Sequence, residues 1–383
     1  MKRNTIRVCI PMPYLYPLFN KNCDAAFGGA EVDMYNVATQ LAKDPRYEVT
    51  ALVADFGQPR VEWHEGVRVV KVRRNYMVNP KPIDKIIRYF SLFGTFLFSG
   101  QDIYITKTAS ETDAWVAFFA RGIHRKKHVH RLASDKDTDP KSYIPTEGER
   151  HYKLHWYGLR HTDLILAQST DQQEQLLQNT GLQSVVINNG FVLPKADIED
   201  KKYILWVSRA DTIKRAELFL DLANQLPEEN FMIIMPVMNL PDPKAQDAVQ
   251  NYADSITKRA ASLPNVKYIP YVPFHEIQEY YNKARLFVNT SLFEGFPNTF
   301  IQACIGSTPI LSFTVNPGEF ITRHHLGFVC DDSVEKGAAF IKTLDDEKVA
   351  KLGENASHYI RENHDITKTI LEYKRELEKL MKK

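Results

Sequence analysis

The sequence predicts an α/β protein built from two domains with parallel sheets. Apolar runs of strand length alternate with helical patterns almost from end to end, the pattern of βαβ units. The 383 residues are enough for two cores of ordinary size. A charged, strandless stretch at 194–202 divides these units into two series and reads as a linker.

In the first series, strands are expected at 7–11, 47–53, 67–72, 103–106, 127–132, 164–167 and 185–187, with helices between several of them, notably 30–42 and 170–178. The second series gives strands at 203–207, 231–235, 266–269, 286–289 and 309–311, with helices at 216–225 and 245–261. The end, 345–383, is highly charged and largely helical, and Ile370, Leu371, Tyr373, Leu377 and Leu380 recur near helical spacing. That spacing gives the last helix one apolar side to lay against the body of the protein. The expected domains are 1–192 and 203–365, with the helix 366–383 able to pack back on the first.

Composition narrows the function classes. With 44% hydrophobic and 25% charged residues the chain is an ordinary globular protein, and a formal net charge of +2 makes nucleic acid no default partner. Four cysteines, Cys9, Cys23, Cys304 and Cys330, show no paired spacing and read as reduced thiols of a cytoplasmic protein. Cys9 and Cys330 lie in apolar runs and belong to the core. The basic N-terminus leads into an apolar stretch too short for a signal peptide, and no run of about 18 apolar residues could span a bilayer.

The most informative motif runs from Ser291 to Gln302, Ser-Leu-Phe-Glu-Gly-Phe-Pro-Asn-Thr-Phe-Ile-Gln, between the strand at 286–289 and a helix opening at about Pro297. Proline suits a first helical turn, and the following Asn298, Thr299 and Phe300 are expected to offer unpaired backbone N–H groups at the positive end of the dipole. Glu294, on the loop just before, can accept hydrogen bonds from sugar hydroxyls. Together they suit a nucleotide sugar, although the segment alone also fits a capped strand-to-helix turn.

Arg209 and Lys214 fall on another loop, where a strand end runs into the helix 216–225. Strand C-termini line the ligand crevice of open α/β sheets, and two cations there can neutralise a diphosphate as its bond to sugar breaks. They can stand in for a metal ion. The same pair also fits solvated surface charge, but cations at a helix start oppose the dipole, which argues for an anion nearby. Gly28 and Gly29 follow the first strand; they allow close backbone approach or merely a tight turn, and lack dinucleotide spacing.

His128, His130 and Arg131 end another strand, with the two histidines on one face, suited equally to core packing and to substrate contact, and Arg131 on the other. The following loop alternates Asp135, Asp137 and Asp139, which could ligate a divalent cation but more often form a solvated turn. Two basic stretches are candidate membrane contacts: 81–98, which mixes cations with aromatics, and His124-Arg-Lys-Lys-His128. A buried crossover helix and an exposed basic turn are the plainer alternatives.

These residues, in this order along nearly the whole chain, resemble the retaining glycosyltransferases of family 4. The resemblance implies the GT-B fold, in which two Rossmann-like domains with parallel sheets face a central cleft. It implies a metal-independent hexosyltransferase with no cofactor and a nucleoside diphosphate sugar, UDP- or GDP-linked, as donor. Arg209 and Lys214 would bind the diphosphate, and Glu294, first glutamate of the family's E-x7-E, the transferred sugar. Gly29, Tyr271, Val272, Asn298, Thr299, Phe300 and Gln302 would complete the donor contacts. Gly28, His130, Ser134 and Asp135 would lie on the acceptor side, and Asn188-Asn-Gly190 matches the family's turn before the linker. Gln302 replaces the second glutamate and can still accept a ribose hydroxyl, without charge.

The expected acceptor is a glycan or lipid-linked molecule of cell-surface synthesis, met in the cytoplasm or at the inner face of an anionic membrane. A sugar-nucleotide epimerase or phosphorylase of the same architecture, and a non-catalytic binding module, are the alternatives, and fold does not separate them.

Overall fold

The computed structural model describes residues 5–23, 25, 27–72, 94, 100–193, 200–238 and 243–382. The basic aromatic stretch at 81–98, apart from Gly94, and residues 194–199 of the expected linker lie outside them. The chain forms two compact units, Met1–Val192 with Ile366–Lys383, and Leu193–Asp365.

The first unit is built on eight strands: β1 (Ile6–Pro11), β2 (Tyr47–Val53), β3 (Val61–His64), β4 (Val67–Lys71), β5 (Ile103–Lys107), β6 (Lys127–Arg131), β7 (Leu164–Ala167) and β8 (Val185–Val186). Their order is β3-β4-β2-β1-β5-β6-β7-β8, parallel except for the β3–β4 hairpin at the edge. Buried runs such as Val8-Cys9-Ile10 and Ile103-Tyr104-Ile105 mark strands covered on both faces by helices, as a parallel sheet requires. The chain's last helix, Ile366–Lys382, belongs to this unit. It buries Ile366, Ile370, Tyr373, Leu377 and Leu380 and leaves Leu371 exposed. Gly190 permits the approach, because a Cβ there would sit 2.6 Å from Ile366 Cδ1 and 2.7 Å from Thr369 Oγ1. Asn36 holds the same turn by donating to the Gly190 carbonyl at 3.0 Å.

The second unit has six parallel strands: β9 (Tyr203–Val207), β10 (Phe231–Ile234), β11 (Val266–Ile269), β12 (Ala284–Asn289), β13 (Ile310–Ser312) and β14 (Gly327–Val329). Their order is β11-β10-β9-β12-β13-β14, so the chain moves outward from β9 in one direction and later returns to its other side with β12. The boundary between β9 and β12 is therefore the topological switch point, where loops from the two strands diverge and leave a crevice. Beneath it, Trp206, Phe219, Phe231, Leu286, Val288 and Phe313 share one buried cluster.

Candidate functional site

Arg209 and Lys214 lie on the loop leaving β9, and Glu294 on the loop leaving β12, so the switch point of the second sheet brings the three together. Four hydrogen bonds fix the loops to each other. The buried Trp206 indole donates to Thr290 Oγ1 at 2.9 Å, and Thr290 Oγ1 donates to the Lys214 carbonyl at 2.5 Å. Leu292 N–H reaches the Ile213 carbonyl at 3.0 Å, and Arg215 Nε the Thr290 carbonyl at 2.7 Å. Arg215 also pairs with Asp332 at 2.7 Å, which offsets the cost of its left-handed backbone, φ +49°.

Each of the two predicted cations meets a carboxylate. Lys214 Nζ contacts Glu294 Oε1, which also accepts from Ser291 Oγ at 2.9 Å. Arg209 holds Asp211 Oδ2 through Nη2 at 3.0 Å and Nε at 3.3 Å, while Nη1 points to Met238 Sδ at 3.8 Å, a weak acceptor. Asp211 Oδ1 meanwhile caps the short turn Thr212–Lys214 by accepting from Ile213 N–H at 3.2 Å. Arg209 is 42% exposed and Lys214 13%, so the first stands open to solvent and the second is recessed against the protein.

The helix after this loop is Asn298–Ile305, and Pro297 is its extended N-cap rather than a first-turn residue. Phe300 N–H is spent on the Pro297 carbonyl at 3.0 Å, and its ring is buried between Phe287 and Phe320. Asn298 and Thr299 remain partly exposed at the helix start, whereas Gln302 is buried on the same helix. Tyr271 and Val272 follow the end of β11, with Tyr271 exposed.

The remaining predicted residues belong to the first unit. Gly28 caps the helix Gly29–Ala42, its N–H donating to Glu31 at 2.9 Å. His130 is fully buried on β6, its Nδ1 within 3.1 Å of both Asp113 Oδ1 and Thr106 Oγ1. Arg131 is equally buried, on a sheet covered on both faces; its Nε meets Asp33 at 2.5 Å and its guanidinium lies over Tyr373 at 5.5 Å.

Lys107 shares Asp33, also at 2.5 Å. Burial opposes the Asp33 charge, but Arg131 and Lys107 outweigh it and hold the carboxyl below its usual range. Burial pulls Lys107 down to about 8 against the pull of Asp33. Nearby, burial opposes charge on His130, yet Asp113 raises its pKa; His128, whose ring bonds the Thr106 and Thr162 hydroxyls, is lowered by burial to about 3. Ser134 and Asp135 are partly exposed on the loop after β6. The aspartates of this loop serve the chain itself: Asp135 accepts from Gln172 at 3.1 Å, Asp137 from Ala133 and Ser134 N–H at 2.6 and 3.1 Å, and Asp139 from Lys141 N–H at 3.1 Å. Among the described residues, no group of three His, Cys, Asp or Glu side chains is placed to hold a metal ion, and no helix is long and apolar enough to cross a membrane.

Sequence reasoning did not single out Asp211, Ser291, Thr290 or Trp206. An acid two residues beyond Arg209 and a serine three residues before Glu294 are visible in the motifs, but their bonds depend on the fold of each loop.

Residues 201–346 match the family model described as glycosyl transferases group 1. Across the whole chain, the structure is similar to sucrose-phosphate synthase from Thermosynechococcus elongatus, with a TM-score of 0.81 and 16% identity over 98% of this chain and 99% of that one. It is also similar to Anabaena HepE in complex with UDP and glucose, with a TM-score of 0.74 and 17% identity over 98% and 100% of the two chains. A mutant of S. aureus TarM, in complex with fondaparinux, alpha-GlcNAc-glycerol and UDP, gives 0.70 and 12% over 97% and 99%. No curated protein matches the sequence. These likenesses give the chain the GT-B fold.

Proposed function

We propose, from the premise of a GT-B chain that matches glycosyl transferases group 1 over 201–346, that the protein transfers a sugar from a nucleoside diphosphate sugar to an acceptor hydroxyl with retention of configuration. The observation that carries this reading is the meeting of Arg209, Lys214 and Glu294 at the switch point of the second sheet. Glu294, oriented by Ser291, takes sugar hydroxyls; Arg209 and Lys214 stabilise the diphosphate as it leaves. The bond from the anomeric carbon to the diphosphate oxygen breaks while the acceptor oxygen bonds that carbon on the same face. The acceptor proton passes to a diphosphate oxygen, so no protein nucleophile and no metal ion is required. Asn298, Thr299, Gln302, Tyr271 and Val272 complete the donor contacts of this unit, and HepE, solved with UDP and glucose, supports a uridine hexose donor.

Gly28 and the Ser134/Asp135 loop serve the acceptor, a glycan or lipid-linked molecule of surface polysaccharide or glycolipid synthesis. The basic stretches at 81–98 and 124–128 supply peripheral contact with the anionic cytoplasmic face of a membrane. Absence of binding to liposomes rich in phosphatidylserine would remove that part of the proposal.

The test is turnover of UDP-, GDP- and ADP-sugars without added metal, in the presence and absence of glycan and lipid-linked acceptors. Release of one nucleoside diphosphate that depends on an acceptor, with an α-linked product from an α-linked donor, supports the transferase. Conversion of the sugar nucleotide without acceptor would instead mark an epimerase. Binding without turnover would mark a sugar-nucleotide module.

A further inference from the structure

The two cations proposed to hold the diphosphate differ in what neutralises them. Lys214 is paired with Glu294, which the reaction needs for the sugar. Arg209 is paired with Asp211, which the reaction as described does not use. Asp211 occupies the Nε and Nη2 edge of the guanidinium, and among the described residues Nη1 faces the Met238 sulfur at 3.8 Å, a weak acceptor. An arriving phosphate therefore meets a fork already oriented, with Nη1 on a weak sulfur acceptor, but with its charge offset by a carboxylate two residues away. The carboxylate is 26% exposed and cannot be displaced without losing its other bond, the cap to Ile213 N–H at 3.2 Å.

We propose that Asp211 is a positioning residue that also sets how tightly the site holds the diphosphate. It orients Arg209 and weakens the cation's hold on the anion, so that the product diphosphate is released. This rests on the nucleoside diphosphate reading and adds to it a specific acid that opposes binding. The two pairs, Arg209 with Asp211 and Lys214 with Glu294, each balance one positive charge with one negative, and affinity for an anion depends on how that balance is set. Removing one negative charge next to the phosphate strengthens binding in proportion to phosphate charge and leaves a neutral nucleoside unaffected.

The test is calorimetric titration of UDP, GDP and ADP, with inorganic pyrophosphate and the matching nucleoside, into the wild type, Asp211→Asn and Asp211→Glu. Asparagine keeps an oxygen for the Ile213 cap and removes the charge; glutamate keeps the charge. The expected result for Asp211→Asn is a diphosphate affinity raised on the order of three- to tenfold. The gain should shrink as salt is added, the nucleoside should bind as in wild type, and Asp211→Glu should return diphosphate affinity toward wild type. A purely structural role for Asp211 would move nucleoside and diphosphate binding together. Unchanged or weaker diphosphate binding by Asp211→Asn, in a wild type that binds one of the three nucleotides, would overturn this inference and leave the transferase reading standing. Failure of wild type and variants alike to bind any of them would overturn both.

Discussion

Both sheets place ionic groups at the C-terminal ends of central strands, but they treat them in opposite ways. In the first unit, Asp33, Lys107 and Arg131 are sealed from solvent, and Asp113, His130 and His155 form a second buried set. In the second unit, the pairs Arg209–Asp211 and Lys214–Glu294 lie on loops, part-exposed, with Arg209 Nη1 on the weak sulfur acceptor of Met238. A buried pair is fixed because breaking it strands a charge in low dielectric. A loop pair is partly solvated and costs little to perturb, so its cations stay within reach of a ligand. The contrast teaches that charge at a strand end is a candidate binding group only where solvent also reaches it.

The largest effect that would sharpen this contrast is expected from Asp33→Asn. It leaves Lys107 and Arg131 without the carboxylate they share, and breaking such a buried pair costs about 3–5 kcal/mol. Urea unfolding should show the loss as a lower midpoint. An unfolding midpoint equal to wild type would mean that the buried ions are not what holds helix Gly29–Ala42 to β5 and β6. By contrast, Glu294→Gln and Lys214→Met should leave the midpoint near wild type and lower kcat by at least about 10²-fold, as loss of a group aimed at the reacting charge does. Full activity with either variant would break the assignment of the loop pairs to chemistry.

Proton linkage separates the regions next. His128 is buried and bonded to Thr106 at 2.9 Å and Thr162 at 3.2 Å, and its pKa falls from the ordinary 6.5 to about 3. The folded form therefore holds it neutral while the unfolded chain takes up a proton. Its contribution to stability is complete above pH 6.5 and is lost as pH falls toward 3, at up to about 1.4 kcal/mol per pH unit. His130, raised by Asp113, has the opposite sign: its contribution is full below 6.5 and fades as pH rises through its raised pKa. Comparing the pH dependence of unfolding for wild type and His128→Gln isolates the first of these. A variant whose stability falls as steeply as wild type below pH 6 would assign the acid sensitivity elsewhere.

How much of this was legible in the sequence depended on whether a signal was local. Tyr47–Val53, Tyr203–Val207, Val266–Ile269 and the helix Ala216–Gln225 each carry a continuous apolar or amphipathic pattern, so their limits can be read directly. Val61–His64 cannot, because Val-Glu-Trp-His alternates on a half-exposed antiparallel edge and resembles a loop. Gly327–Val329 is three residues long, and the helix Ile144–Arg160 is polar and interrupted at Gly148, φ +84°. The α/β class and the GT-B resemblance were legible because the alternation of units and the order of motifs span the chain. The helix start was read one residue early because proline favours N1, whereas here it stands extended at the N-cap. The burial of His130 was not legible, since alternation gives the face of a strand but not what covers it. Nor was the partner of Arg131, because Asp33 lies 98 residues away on a helix.

The smallest expected effect tests whether the loop pair is oriented or merely present. Ser291 Oγ donates to Glu294 Oε1 at 2.9 Å, the same oxygen that Lys214 contacts. The serine is buried, so its hydroxyl has no solvent to turn to and stays aimed at the carboxylate. Ser291→Ala removes one hydrogen bond worth about 1 kcal/mol, or roughly a fivefold change in an equilibrium or rate. If that bond holds Glu294 on the sugar, the loss should appear in kcat/KM for the sugar nucleotide while the affinity for the bare nucleoside diphosphate stays at its wild-type value. Equal loss for both ligands would place Glu294 in diphosphate binding through Lys214 instead, and the distinction between a sugar carboxylate and a phosphate cation at this switch point would have to be abandoned.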